Sequence, residues 1–239
     1  RGRGLIEIDK EWLNPIFIDH VKHDIELLEN IHERWFADPN IQNLDPKLDN
    51  VVEKIKASLY EQPDRKIVIF STYQDTVDYL YEQLQLRGIS RVMRYTASDG
   101  NEMYKDLVKA NFDASYSEEK QKNDYDVLIA TDALSEGFNL HRAGIIINYD
   151  IPYNPTRVIQ RVGRINRINK KVFDNLYVYN SFPTVIGEES TKIKSISTLK
   201  IKLINAVVGS DTRTLTNDEE LKSFFKDEFQ AAEQMNEQL

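Results

Sequence analysis

Apolar residues return every three or four positions early in the chain. Ile18, Val21, Ile25, Leu28, Ile31 and Trp35 mark one face of a long helix. Asn14-Pro15 ahead of it suits an N-cap and a first-turn proline, and Asp38-Pro39-Asn40 breaks it. A second helix is expected from Asp45-Pro46, with Leu48, Val51, Val52, Ile55 and Leu59 on one face. From residue 66 the period changes. Lys66-Ile67-Val68-Ile69-Phe70 is a short, nearly continuous apolar run, the pattern of a strand buried on both faces. Helix follows, with Val77, Leu80, Tyr81 and Leu84 in register. Residues 91–95 read as a second strand, 103–112 as a short helix and 113–125 as a polar loop. Residues 126–130, 144–148 and 176–179 give three more strands, and Asn154-Pro155 starts a helix before the last of them. Strands alternating with helices predict an α/β fold, a parallel sheet flanked by helices. In such sheets ligands gather beyond the carboxyl ends of the strands. Ile193, Ile196, Leu199, Leu203 and Val207 then line a helix that Gly209 ends. Thr216 and Glu219 form a capping box ahead of Leu221, Phe224 and Phe225. The expected organisation is a helical N-terminal extension (1–45), an α/β domain (46–182) and a helical C-terminal extension (183–239).

Composition narrows the class. With 239 residues, 41% hydrophobic and 29% charged, the chain holds one domain with appendages or two small ones, and is not disordered. The absence of Cys excludes a disulfide scaffold and a thiolate metal site; it suits a reducing, cytoplasmic setting. No apolar run approaches the ~18 residues of a membrane span. Arg1-Gly2-Arg3-Gly4 is followed by no signal-peptide core and lacks Met, so the chain reads as a piece of a longer protein. A net charge of −8 argues against indiscriminate coating of nucleic acid while leaving room for a locally basic site.

Three segments carry candidate chemistry. Between Pro155 and Lys171 lie six basic residues and no acid. On a helix Arg157, Arg161, Arg164 and Arg167 fall within an arc of about 120°, with Val158, Ile159, Val162 and Ile165 on another side. The helix is therefore expected to bury one face and present a row of guanidiniums on another. By itself such a row is an ordinary solvated face. Arg in place of Lys, the missing acid and the position after a buried strand favour a phosphate-binding role. The second segment, Ala130-Thr131-Asp132-Ala133-Leu134-Ser135-Glu136-Gly137-Phe138-Asn139-Leu140, leaves a buried strand through polar residues. Thr131 and Asp132 there suit the start of a short helix whose amides face an anion, or an ordinary loop. The third, Phe70-Ser71-Thr72-Tyr73, holds the same place after another strand, where simple N-capping is the plain reading. His20, His23 and Glu26 share a helix but lack further metal ligands, which makes them a surface face. Asp124 and Asp126 read as solvated loop charges, and the 12 Tyr as core or rim packing.

Together these segments resemble one family. Residues 66–73, 129–140 and 160–167 are similar to motifs IV, V and VI of superfamily 2 helicases, in the order and spacing of the second RecA-like lobe. Gln160-Arg161-Val162-Gly163-Arg164-Ile165-Asn166-Arg167-Ile168 and Tyr149-Asp150-Ile151-Pro152-Tyr153-Asn154-Pro155 look most like Swi/Snf-type ATPases of the bacterial RNA-polymerase-associated kind. The chain departs from eukaryotic remodellers at Arg161, Gly163 and Asn166. The resemblance implies a RecA-like fold. It makes Arg164 and Arg167 catalytic arginines at the γ-phosphate. Gly137, Asn139 and Gln160 fall near the nucleotide, and Ser71, Thr72 and Thr131 become hydroxyls that hold the nucleic-acid backbone.

No G-x-x-x-x-G-K-[ST] phosphate loop and no acidic Mg²⁺ box is found. The implied cofactors are ATP and Mg²⁺, the metal held mainly by a first RecA-like lobe outside this chain. The implied partners are that lobe and nucleic acid, duplex DNA foremost, with no membrane. The leading expectation is the C-terminal motor lobe of a DNA-dependent ATPase, inactive alone. The alternatives are a strand-separating RNA or DNA helicase, a restriction or defence motor, or a non-catalytic RecA-like binding module.

Overall fold

The computed structural model describes residues 10–37, 45–99, 101–135, 137–165 and 172–208, in two units, Arg1–Val51 and Val52–Leu239. In the first unit the Asn14 side chain accepts the Ile16 N–H at 3.0 Å, and Pro15 opens helix α1 (Pro15–Ala37). This is the cap-and-proline start that the local pattern predicts. The apolar stripe of α1 is exposed at Val21, Ile25, Leu28 and Ile31, as are His20, His23 and Glu26. The Asp45 carboxylate caps α2 (Pro46–Glu61) by accepting the Leu48 N–H at 2.9 Å. The side chains of Trp35, Leu203 and Val207, the break at 38–40, and Gly209, Thr216, Glu219, Leu221, Phe224 and Phe225 lie outside the described residues.

The second unit runs β1 (Lys66–Phe70), α3 (Gln74–Leu86), β2 (Val92–Tyr95), α4 (Glu102–Phe112), β3 (Val127–Ala130), β4 (Ala143–Asn148), α5 (Thr156–Ile165), β5 (Tyr177–Asn180), α6 (Val185–Thr191) and α7 (Ile193–Val208). The five strands are parallel in the order β2-β3-β1-β4-β5. Every residue of β1, β3 and β4 is buried, as unbroken apolar runs require when helices cover both faces. Val68 and Phe70 pack with Val108 and Phe112 of α4, Leu134 and Phe138 of the β3–β4 connection, and Val162 and Ile165 of α5. Helix α3 lies along β2 and β3, burying Val77, Leu80 and Leu84. A smaller cluster joins Ile151 and Val158 to Ile201 of α7. Helix α5 is thereby packed on two sides.

Strand β5 is an edge strand of the sheet, with Tyr177 44% exposed. One sequence expectation is corrected. Asp126 is not a solvated loop charge. Its carboxylate takes Arg91 Nε at 2.7 Å and Nη2 at 3.0 Å, which ties the entry of β2 to that of β3.

The amino edge of the sheet holds a buried cation. Lys66 is 2% exposed; its ammonium donates to the Tyr125 carbonyl and lies 5.2 Å from the Phe112 ring centroid. Burial, and then the Arg142 guanidinium, lower its pKa from 10.5 to about 8. The folded state thus releases this proton before the unfolded state does. Stability rises with pH between the two values, by up to about 3 kcal/mol. Burial raises the pKa of Tyr95 and Tyr104, which opposes the trend once tyrosine ionises. Denaturant melts between about pH 7.5 and 9.5 should show the rise, and Lys66→Met should flatten it. An unchanged slope in the variant would remove Lys66 as its source.

Candidate functional site

The carboxyl ends of β3, β1 and β4 lie side by side, and each continues into a polar segment. After β1 come Ser71 and Thr72; after β3, Thr131 and Asp132; after β4, Asp150. One carboxylate gathers the first pair. Asp150 accepts the Ser71 hydroxyl, the Thr72 N–H at 2.8 Å and the Thr72 hydroxyl at 2.6 Å. Ser71 is fully buried, and its oxygen also accepts the Tyr73 N–H at 3.3 Å. Ser71 was expected to touch nucleic acid directly. The structure instead places it beneath Thr72, as a support for Asp150. Thr72 and Thr131 are half-buried at the surface of this edge, and the Thr131 hydroxyl bonds to no described residue.

Residues Asp132–Ser135 form a 3₁₀ turn, and the Asp132 carboxylate points away from it toward α5. A short helical turn does follow Thr131, but the Asp132 carboxylate is engaged by α5. Asp132 accepts Arg157 Nη1 at 3.0 Å and Arg161 Nε at 2.7 Å.

Arg161 overturns the expected row of outward guanidiniums. It is fully buried, with its guanidinium carbon 5.0 Å from the Phe70 ring centroid. Nη1 donates to the Asn148 side chain at 2.8 Å and to the Asp150 carbonyl at 3.4 Å. Asn148 in turn donates to Asn180 at 2.7 Å. The acid missing from the arginine segment is supplied from 29 positions away. A signal existed: on a helical wheel Arg161 stands only about 40° from Ile165, at the rim of the apolar arc. Asn148 and Asp150, polar residues ending an apolar strand, were the other half of that signal.

Of the nucleotide-side candidates, Gln160 lies at mid-helix, and Arg164 lies near the carboxyl end of α5 beside the connection that carries Gly137 and Asn139. The Leu140 N–H donates to the Arg164 carbonyl at 3.0 Å, so the end of the β3–β4 connection meets the end of α5. Gly137 and Asn139 lie on that connection. Gly137 has φ +89, and the space a Cβ would take there is open, so it serves the backbone conformation rather than a close approach. Asn139 Nδ2 reaches the Asp113 carboxylate at 3.5 Å. Gln160 is exposed. Arg164 is half-buried, and its guanidinium makes no hydrogen bond or ion pair to a described residue. Arg167 lies outside the described residues. Arg161, which holds Asp132 and Asp150, and Arg164 stand about 4.5 Å apart along α5.

Among the described residues no cluster of three His, Asp or Glu is placed to hold a metal ion, and no helix is long and apolar enough to cross a membrane. An anionic ligand fits the uncommitted Arg164 better than a cation does.

Comparison with known proteins places the chain in a family. Residues 47–169 match the family described as "Helicase conserved C-terminal domain". The chain is 35% identical over 175 residues to an "Uncharacterized ATP-dependent helicase YqhH" of Bacillus subtilis, covering 71% of this chain and 28% of that protein. It is 32% identical over 170 residues to an "ATP-dependent RNA helicase eIF4A" of Chaetomium globosum, covering 71% of this chain and 38% of that protein. The chain thus spans about a third of the length of these relatives. Among solved structures, the C-terminal part of the Fun30 ATPase domain superposes with a TM-score of 0.51 at 20% identity, covering 75% of this chain and 58% of that one. That likeness is one of fold, a RecA-like α/β sheet.

Proposed function

The chain belongs to the helicase conserved C-terminal domain family, and from that premise we propose that it is the second motor lobe of an ATP-driven translocase on duplex DNA. The carrying observation is the division of its candidate residues between the two ends of α5. At one end Thr72 and Thr131 follow the adjacent parallel strands β1 and β3, whose backbones run about 4.8 Å apart. Short neutral donors there suit backbone phosphates, which position a strand without reading its sequence. At the other end Arg164 has no protein acceptor among the described residues.

ATP with Mg²⁺ supplies the phosphoryl group whose transfer to water drives the motor. The residues of this lobe would orient and neutralise it. Arg164, with Arg167, would place guanidinium forks at the γ-phosphate, where charge spreads over three oxygens in the transition state. Gly137, Asn139 and Gln160 would border the nucleotide. The phosphate loop and the metal-binding acid would come from a first lobe, so residues 1–239 alone should hydrolyse no ATP, even with DNA added.

The form of residues 149–155 and 160–168 supports the Swi/Snf-like, duplex-DNA branch. The RNA helicase relatives support a second reading, a strand-separating RNA helicase. ATP turnover of the two-lobed protein with duplex DNA, single-stranded DNA or single-stranded RNA separates them. Stimulation by duplex DNA above the others is expected; stimulation by RNA alone would transfer the assignment to the second reading.

Thr131→Ala should lower nucleic-acid-stimulated turnover several-fold more than basal turnover. It removes a strand contact and leaves the nucleotide end untouched, so an equal loss in both rates would count against the strand role.

A further inference from the structure

We infer that Arg161 is a positioning residue that couples nucleic-acid engagement to the nucleotide end of the lobe; this rests on the function proposed above. Its guanidinium is bonded to the loop that carries Thr131 and, through Asp150 on the loop after β4, is linked to Thr72. Nε holds Asp132, the neighbour of Thr131, at 2.7 Å. Nη1 holds the carbonyl of Asp150, whose carboxylate binds Thr72 and Ser71, and the Asn148 side chain at the end of β4. Arg164 follows three positions later on the same helix, displaced about 4.5 Å along its axis. Arg161 thus bonds the loops after β3 and β4 from the helix that carries Arg164.

The residue type fits the task. A planar fork donates in several directions at once, which an ammonium cannot do in a fixed frame. Full burial against Phe70 and the flanking apolar contacts of Val158 and Val162 leave α5 little freedom to move without Arg161. The Nη2 group is buried with no hydrogen-bond partner among the described residues. Such a donor favours any shift of either loop that brings it an acceptor, since an unmade buried bond is costly. In this proposal the fork gains a second arrangement in which Nη2 is engaged. A strand pulling on Thr72 or Thr131 biases the choice, and α5 carries the result to Arg164. An element with two arrangements that both sites bias is what coupling between sites requires.

The test uses the full two-lobed protein. ATP turnover is measured without nucleic acid and with saturating duplex DNA or single-stranded RNA, whichever stimulates the wild type. The variants are Arg161→Lys, which keeps the charge and loses the fork, and Asp132→Asn, which keeps the shape and loses the charge. Melting temperature is recorded for each. The stimulation ratio should fall about tenfold, within the range that such couplings take, with basal turnover held within about twofold. Should Arg161→Lys fail to fold, Asp132→Asn decides. An unchanged ratio in a folded variant, or basal and stimulated rates falling together, overturns the coupling role and leaves Arg161 a structural brace. A wild-type protein that no nucleic acid stimulates would instead refute the proposed function, and this inference with it.

Discussion

Replacing Arg164 or Arg167 by alanine in the two-lobed protein is expected to cut ATP turnover at least about a hundredfold, with folding and nucleic-acid affinity nearly unchanged. An arginine that meets the γ-phosphate in the transition state is worth roughly 10³–10⁵ in kcat. A guanidinium fork neutralises the spreading charge without any proton transfer, and a lysine at the same place lacks the fork. Arg167→Lys should therefore be severely impaired as well. The competing account is that these arginines brace the lobe through ion pairs. For Arg164 the structure offers no such pair among the described residues, and its half-buried guanidinium is left for a ligand. Melting temperature, nucleic-acid binding and turnover measured together separate the two accounts. Near-normal turnover in both alanine variants would sink the assignment.

The neighbouring arginine should behave in the opposite way. Arg161→Ala is expected to destabilise the fold by about 3–5 kcal/mol, because it leaves the Asp132 carboxylate and the Asn148 side chain without their buried cation. In a chain of this size that lowers the melting temperature by roughly 10 °C or more. Arg157 provides the control. It binds the same carboxylate at 3.0 Å, but its side chain is 49% exposed. Solvent screens that pair, so Arg157→Ala should cost less than about 1 kcal/mol. Thermal melts of the three proteins side by side are sufficient. Equal losses from Arg157→Ala and Arg161→Ala would mean that burial of Arg161 is not what gives its ion pair weight. Two arginines one helical turn apart are thus assigned different work: Arg161 holds the loops and positions α5, and Arg164 meets the ligand.

That division was only half legible in the chain. Period alone placed β1, β3 and β4, because unbroken runs such as 66–70 admit few structures other than a strand covered on both faces. Local caps placed the helix starts at Pro15 and Pro46, since Asn14 and Asp45 satisfy amides within three residues of themselves. The parallel α/β class follows from the same alternation, and the grouping of hydroxyls after strands and arginines on one helix pointed to the lobe and its chemistry. Each of these rests on interactions a few residues long.

What the tertiary structure decided depends on partners far apart in the chain. Helical geometry put Arg157, Arg161 and Arg164 in one arc, and no acid lay within reach along that segment. Folding brought Asp132 from 29 positions upstream and Asn148 from 13, and turned Arg161 inward. Ser71 was as plausible a strand contact as Thr72 until Asp150, 79 positions away, took its hydroxyl beneath the surface. The burial of Lys66 depends on Tyr125 and Phe112, 59 and 46 positions away in the chain. Residue type and spacing determine which side chains can do the chemistry; the long-range packing of β1, β3, β4 and α5 determines which of them remain free to do it. A buried charge must find its counter-ion wherever the fold supplies one, and that place is not written in the neighbouring sequence.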